Sequence, residues 1–290
     1  MSDVLEIDAF VLGAPKCGTT WLSNILEQHP EVCISNPKEP NVIATHKGTM
    51  IRDNSEPNYS KYSKYFQGPG KKIDCSVHAF ACPEAPSRIK KRWPSAKFIL
   101  CVREPISRTI SHWKMIRETE EDIHSGADWS NFETAWADPR LHMDTLYGSC
   151  LKNWLEEFPR ESILIINSEV MRDGPSKTLE LICKHLEISS FNFDYEKISE
   201  SNKSEDRKKS TIFGRRIMKI SSLMPNIIKS PIVFPLKKFG INIYNSKALT
   251  TDPVKAEIDI EKASKIIMPQ IIDDIILFED LSGEKYPKWR

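Results

Sequence analysis

The sequence predicts an α/β protein in three layers, a central mainly parallel sheet with helices on both faces. Three observations carry this expectation. The apolar runs at 7–13, 97–102 and 163–166 are continuous rather than alternating, the pattern of strands covered on both sides. Each is followed within a few residues by a segment whose apolar positions recur at helical spacing. The 290 residues, 40% hydrophobic and 28% charged, supply enough core for one such unit and exclude a disordered or fibrous chain.

The elements follow in order. Ile7-Asp8-Ala9-Phe10-Val11-Leu12-Gly13 is a β-rich run ending in glycine, and Ala14-Pro15-Lys16-Cys17-Gly18 turns into a helix over 19–28 with Trp21, Leu22, Ile25 and Leu26 on one face. Residues 46–72 are polar and turn-rich, and no regular structure is assigned there. A basic helix over 85–93 stops at Pro94, a strand covers 97–102, and a helix runs from Pro105 through Trp113. Helix 145–158, strand 163–166 and helix 175–187 repeat the pattern. Residues 199–255 mix basic clusters with Pro225, Pro231, Pro235 and Pro253 and read as a lid, an irregular helical insertion or a partner surface. A closing helix over 263–281 is expected to be interrupted at Pro269. The whole chain, 1–290, reads as one domain.

Charge narrows the partners. The total is only +1, but residues 201–250 hold eleven Lys/Arg against two acids, a local +9 that leaves −8 on the rest. Such a segment calls for an anionic partner or is a solvated basic face. Ile212-Phe213 and Ile217-Met218 interleave with Arg215, Arg216 and Lys219, as in a helix lying on an anionic membrane surface. Without aromatic interleaving, the segment does not read as a nucleic-acid reader. No apolar run approaches the ~18 residues of a membrane span, and residues 1–6 lack the basic and apolar regions of a secretory leader. Seven scattered cysteines without a C-x-x-C pair argue against a disulfide framework or structural zinc and for a reducing, cytoplasmic setting. His29, His46, His112, His124, His142 and His185 lack metal-ligand spacing and are read as background. Oligomeric state is not legible.

The chemistry-bearing motif is Gly13-x4-Gly18-Thr19-Thr20 between strand and helix, the frame of a Walker A loop. Small residues let backbone N–H groups turn inward, and the helix N-terminus adds positive potential for a phosphate. The lysine is displaced, however: Thr19 stands where a P-loop enzyme needs lysine, and Lys16 lies three residues earlier. Asp74 is the only weak candidate for a magnesium anchor. A second segment, Val102-Arg103-Glu104-Pro105-Ile106-Ser107-Arg108-Thr109-Ile110-Ser111, places an arginine at a strand end and a serine two turns into the next helix. Arginine is the natural fork for a phosphate.

Together these two segments resemble the sulfotransferases that use 3′-phosphoadenosine 5′-phosphosulfate (PAPS), of the glycan and bacterial type, with a P-loop-like fold. The likeness extends to Tyr147-Gly148-Ser149 with Trp154, to Asn131-Phe132-Glu133-Thr134-Ala135, and to Leu277-Phe278-Glu279-Asp280-Leu281-Ser282-Gly283 with Trp289. It covers roughly 10–40, 96–190 and 263–289. The resemblance implies that Lys16 stabilises the leaving group, and that Cys17, Gly18, Thr19 and Thr20 hold the 5′-phosphate. Trp21 meets the adenine, and Arg103 with Ser111 binds the 3′-phosphate. It implies PAPS as donor, adenosine 3′,5′-bisphosphate (PAP) as product, and no metal.

For the general base the resemblance offers Glu39, in Asn36-Pro37-Lys38-Glu39-Pro40-Asn41, although the chain continues Val42-Ile43 where the family often has aromatic residues. His78 competes, since aryl and steroid enzymes of the family use a histidine; it lies in Asp74-Cys75-Ser76-Val77-His78, which looks like the strand where glycan enzymes often carry a lysine before Ser/Thr, a position held here by Cys75. The resemblance also implies a late basic loop over the nucleotide, with Arg207-Lys208-Lys209-Ser210 and Arg215-Arg216 as candidates. The acceptor is a small molecule or glycan, most simply a carbohydrate or glycolipid hydroxyl. Two other readings stand beside this one: a P-loop nucleotide kinase with a displaced lysine, and a non-catalytic phosphonucleotide-binding protein.

Overall fold

Strands that are apolar on both faces can only be buried between helices, and the computed structural model places them so. It describes residues 5–195 and 256–290, with the backbone of 209–210 and 250–251. The first half runs β1 (Ala9–Gly13), α1 (Thr19–Leu26), β2 (Val32–Ile34), β3 (His46–Lys47), β4 (Ile51–Arg52), α2 (Tyr62–Tyr65), β5 (Lys71–Asp74), α3 (Ala85–Arg92), β6 (Lys97–Val102) and α4 (Pro105–Thr119). Next come α5 (Glu121–His124), α6 (Phe132–Ala137), α7 (Pro139–His142), α8 (Tyr147–Leu155), β7 (Ile163–Asn167), α9 (Ser168–Asp173) and α10 (Pro175–Leu186). The chain closes with β8 (Lys209–Ser210), β9 (Thr250–Thr251) and α11 (Ile260–Ser282).

The central sheet has the order β2-β5-β1-β6-β7, and every neighbouring pair is parallel. β1 therefore sits in the middle, and the loops leaving β5, β1 and β6 open on one edge of the sheet, where α/β folds place their ligands. The β1–β6 register shifts after Val11, so that Gly13 faces Leu100. An aromatic stack of Phe10, Trp93, Phe98 and Trp154 fills the layer beneath, with centroids 5.0–6.0 Å apart.

Several expectations are corrected. Residues 46–72 are not structureless: β3 and β4 form a two-residue antiparallel hairpin, and α2 packs the buried Tyr62 inward. Such short pieces leave too little periodicity to read. His78 lies not in a strand but in a 3-10 turn, Val77–Ala79, after β5. The helix from Pro105 continues past Trp113 to Thr119 and ends on the left-handed Glu120. Pro269 does not interrupt the last helix. It is exposed, so the carbonyl it leaves unpaired faces water, while Ala263, Ile267, Ile271, Ile275 and Phe278 hold a buried stripe through it. At roughly 1.5–3 kcal/mol for each large apolar side chain buried, that stripe outweighs the ~3 kcal/mol cost of a proline.

α11 also grips α8. The Asp274 carboxylate accepts the backbone N–H groups of Gly148 at 2.7 Å and Ser149 at 2.8 Å, capping a helix that lacks a side-chain cap of its own. Glycine is obligatory at 148, since a Cβ there would lie 2.3 Å from the Asp274 carbonyl oxygen. The basic segment at 199–255 lies outside the described residues, apart from the β8–β9 backbone pairing. Among the described residues no helix is long and apolar enough to cross a membrane.

Candidate active site

The turn after β1 is shaped by its backbone. Gly13 has φ +131°, and a Cβ there would approach the Val77 carbonyl oxygen to 2.5 Å, so only glycine lets the loop nestle against the β5 turn. Lys16 is left-handed at φ +71°, a conformation that costs a non-glycine residue roughly 1–3 kcal/mol. Gly18, also left-handed, is the N-cap of α1 and leaves its first N–H groups without a side-chain acceptor, the condition for an anion seat. The Lys16 ammonium crosses to α4, 3.8 Å from the Met115 sulfur.

Arg103 stands at the end of β6, the strand beside β1. The α4 N-terminus is already occupied, because Glu104 accepts from the N–H groups of Ile106 and Ser107 at 2.8 and 2.6 Å. Arg103 and, two turns on, Ser111 line the cavity on this side. Among the described residues, the buried Nε of Arg103 has no hydrogen-bond partner, and neither does the buried Oγ of Ser168, at the end of β7.

The opposite wall comes from the segment after β2 and the turn after β5. Lys38 Nζ donates to Glu39 Oε1 at 2.7 Å and reaches Thr19 Oγ1 at 3.5 Å, while the Asn41 N–H donates to Ser76 Oγ at 2.9 Å. His78 is buried, and burial pushes its imidazole below the ordinary histidine value. Its ring lies 6.4 Å from that of His112. Behind it, Arg108 is fully buried and donates to His112 Nδ1 at 3.1 Å, to Thr109 Oγ1 at 3.0 Å, and to Thr145 Oγ1. Arginine can only donate, so His112 Nδ1 accepts, and its Nε2–H donates to Thr49 Oγ1 at 2.7 Å. Burial and the Arg108 charge hold that imidazole neutral, well below its usual range, although Asp144 Oδ2 sits 3.5 Å away.

These walls enclose one cavity of about 880 Å³. It gathers nine of the ten residues anticipated from sequence: Lys16, Gly18, Thr19, Thr20, Trp21, Glu39, His78, Arg103 and Ser111. Cys17 is the exception. Its N–H closes the loop's own turn on the Ala14 carbonyl at 3.2 Å, its side chain points into the core, and burial pushes the thiol up to about 11. It therefore does not face the cavity as a phosphate ligand. Asp74 is not on the cavity either: its two oxygens accept from Tyr62 and from the Ser76 N–H at 2.7 and 2.8 Å. Sequence reasoning missed Thr49, Met115, Ser168 and Arg172 on the lining. Ser168 carries a signal in the sequence, because it stands two residues after the run 163–166; Thr49 carries none.

A glycine-bounded, lysine-bearing loop at the central strand and an arginine at its neighbour open on one cavity of this α/β protein, with donors of the kind an anionic group takes. The two orphaned donors on the lining, Arg103 Nε and Ser168 Oγ, suit such a group. The chain belongs to the sulfotransferase domain family, whose model matches residues 6–222. It is similar to the heparan sulfate glucosamine 3-O-sulfotransferase 5 of Mus musculus, 27% identical over 199 residues, covering 62% of this chain and 53% of that one. The bifunctional heparan sulfate N-deacetylase/N-sulfotransferase 3 of Homo sapiens is 27% identical over 194 residues, 61% of this chain and 22% of that one. The chain thus matches about half or less of the length of these curated relatives. A crystal structure of a sulfotransferase from Alicyclobacillus acidocaldarius shares the fold, with a TM-score of 0.63 at 18% identity over 99% of this chain and 100% of that one.

Proposed function

We propose that this chain transfers a sulfuryl group from PAPS to a hydroxyl of a carbohydrate or glycolipid acceptor. The observation that supports the reading best is that Lys16 and the α1 N-terminus share one cavity with Arg103 and Ser111, two cationic seats suited to the two phosphate-bearing ends of one nucleotide. PAPS supplies an activated sulfate on a bisphosphate leaving group, so the protein's work is positioning and charge stabilisation. Lys16 neutralises the leaving oxygen, Thr19 and Thr20 with the Gly18 turn hold the 5′-phosphate, Trp21 lies against the adenine, and Arg103 with Ser111 takes the 3′-phosphate. Glu39 accepts the acceptor proton, with Lys38 holding its carboxylate; His78, neutral and on the same wall, is the second base candidate.

A carbohydrate acceptor is favoured by the names of the similar heparan sulfate enzymes. The β8 backbone lies alongside α4. All seven cysteines are unpaired and buried, which favours the reducing, cytoplasmic setting, and we read the chain as a single domain. The kinase alternative is disfavoured by Asp74, whose oxygens are committed to the fold.

The test is thermal stability with ligands. PAP is expected to raise the melting temperature without magnesium, whereas ATP with magnesium does little. The reverse pattern would favour the kinase reading.

A further inference from the structure

The two candidate anion seats lie on different loops, and one hydroxyl touches both loops. Tyr147, the first residue of α8, is 1% exposed. Its phenol oxygen lies 3.2 Å from the backbone carbonyl of Arg103, to which it can only donate, and 3.7 Å from the sulfur of Cys17. With the phenol proton committed to that carbonyl, the Cys17 contact runs the other way: the thiol, kept protonated by burial, points its hydrogen at the phenol oxygen or at the more distant Pro15 carbonyl, 3.9 Å away. The ring itself has little freedom, being enclosed by Phe80, Phe278 and Trp289 at centroid distances of 6.3, 5.6 and 5.8 Å. Asp274 anchors the next two residues, Gly148 and Ser149.

We propose that Tyr147 is a positioning residue that sets the spacing between the Lys16 loop and Arg103, and so selects a nucleotide carrying phosphate at both ends. The proposal rests on the reading of the cavity as a PAPS site. Neither seat needs Tyr147 to exist: Lys16 and the α1 N-terminus belong to β1 and α1, and Arg103 belongs to the end of β6. What the phenol adds is a fixed distance between them, which matters only to a ligand that must reach both. Ligands reaching one seat test the difference. PAP fills both, adenosine 5′-monophosphate fills the loop seat, and adenosine 3′-monophosphate fills the Arg103 seat.

Binding of these three nucleotides to the wild-type chain, Tyr147→Phe and Cys17→Ala is measured by titration calorimetry, with thermal melts as the control for folding. The expected result is that Tyr147→Phe weakens PAP roughly tenfold, the worth of one hydrogen bond and its unsatisfied partner, while both monophosphates stay within about twofold of wild type. Cys17→Ala, which breaks only the loop side of the tie, weakens PAP by a smaller factor with the same pattern. Equal weakening of all three ligands, weakening of one monophosphate, or unchanged PAP affinity in both variants overturns the positioning role. If Tyr147→Phe fails to fold, Cys17→Ala decides by the same criterion. A wild-type chain that binds no PAP instead overturns the cofactor reading on which the proposal stands.

Discussion

Lys38 serves two neighbours at once, gripping Glu39 at 2.7 Å and reaching Thr19 on the first helix at 3.5 Å. A carboxylate held this way on the cavity wall stays aimed, as a base needs to be. We expect Lys16→Ala and Glu39→Gln each to cut labelled sulfate transfer to a panel of glycan and glycolipid acceptors by roughly 10²-fold or more. Glu39→Gln should retain PAP affinity. Full activity in Glu39→Gln together with loss in His78→Ala would move the base to histidine. At this scale the sequence was informative where a motif fixes backbone geometry: Gly13, Lys16 and Gly18 announce a loop. It was silent at Cys17, whose N–H goes to the Ala14 carbonyl, because a motif position does not tell which acceptor a backbone donor takes. Thr49 could not be found, since its link to Arg108 passes through His112, 63 residues away in the chain.

Among the elements, α8 and α11 meet more closely than any side chain would allow. We expect Gly148→Ala to force their backbones apart and cost roughly 2–3 kcal/mol, as overpacking at a rigid contact does, measurable by urea denaturation. The major strands and most helices were legible because long apolar runs of one period need no tertiary information. Two things were not. The β3–β4 hairpin is too short to carry a period, and the passage of α11 through Pro269 depends on which side of the helix the proline falls. That is decided by the buried stripe from Ala263 to Phe278, not by the proline itself.

For the molecule as a whole, burial sets the acid limit. His46, His78, His112, His142 and His185 are all held below the ordinary histidine value, chiefly by desolvation, with His46 lowered to about 4. The unfolded chain binds protons at these sites first, so stability is complete above the unfolded histidine value near pH 6.5 and falls as pH drops below it. Melts at pH 7.5 and pH 5.5 should differ by at least about 3 °C, the acidic sample lower. A flat profile between those values would mean that the buried imidazoles are charged in the fold.

The grip of Asp274 on α8 also sets what the last helix tolerates. Its carboxylate meets two N–H groups of α8 from the same turns that carry the buried Ile271, Ile275 and Phe278. One residue inserted or deleted between Ala263 and Asp274 would rotate the two halves of this 23-residue helix by about 100° against each other, so clamp and stripe could no longer face their partners together.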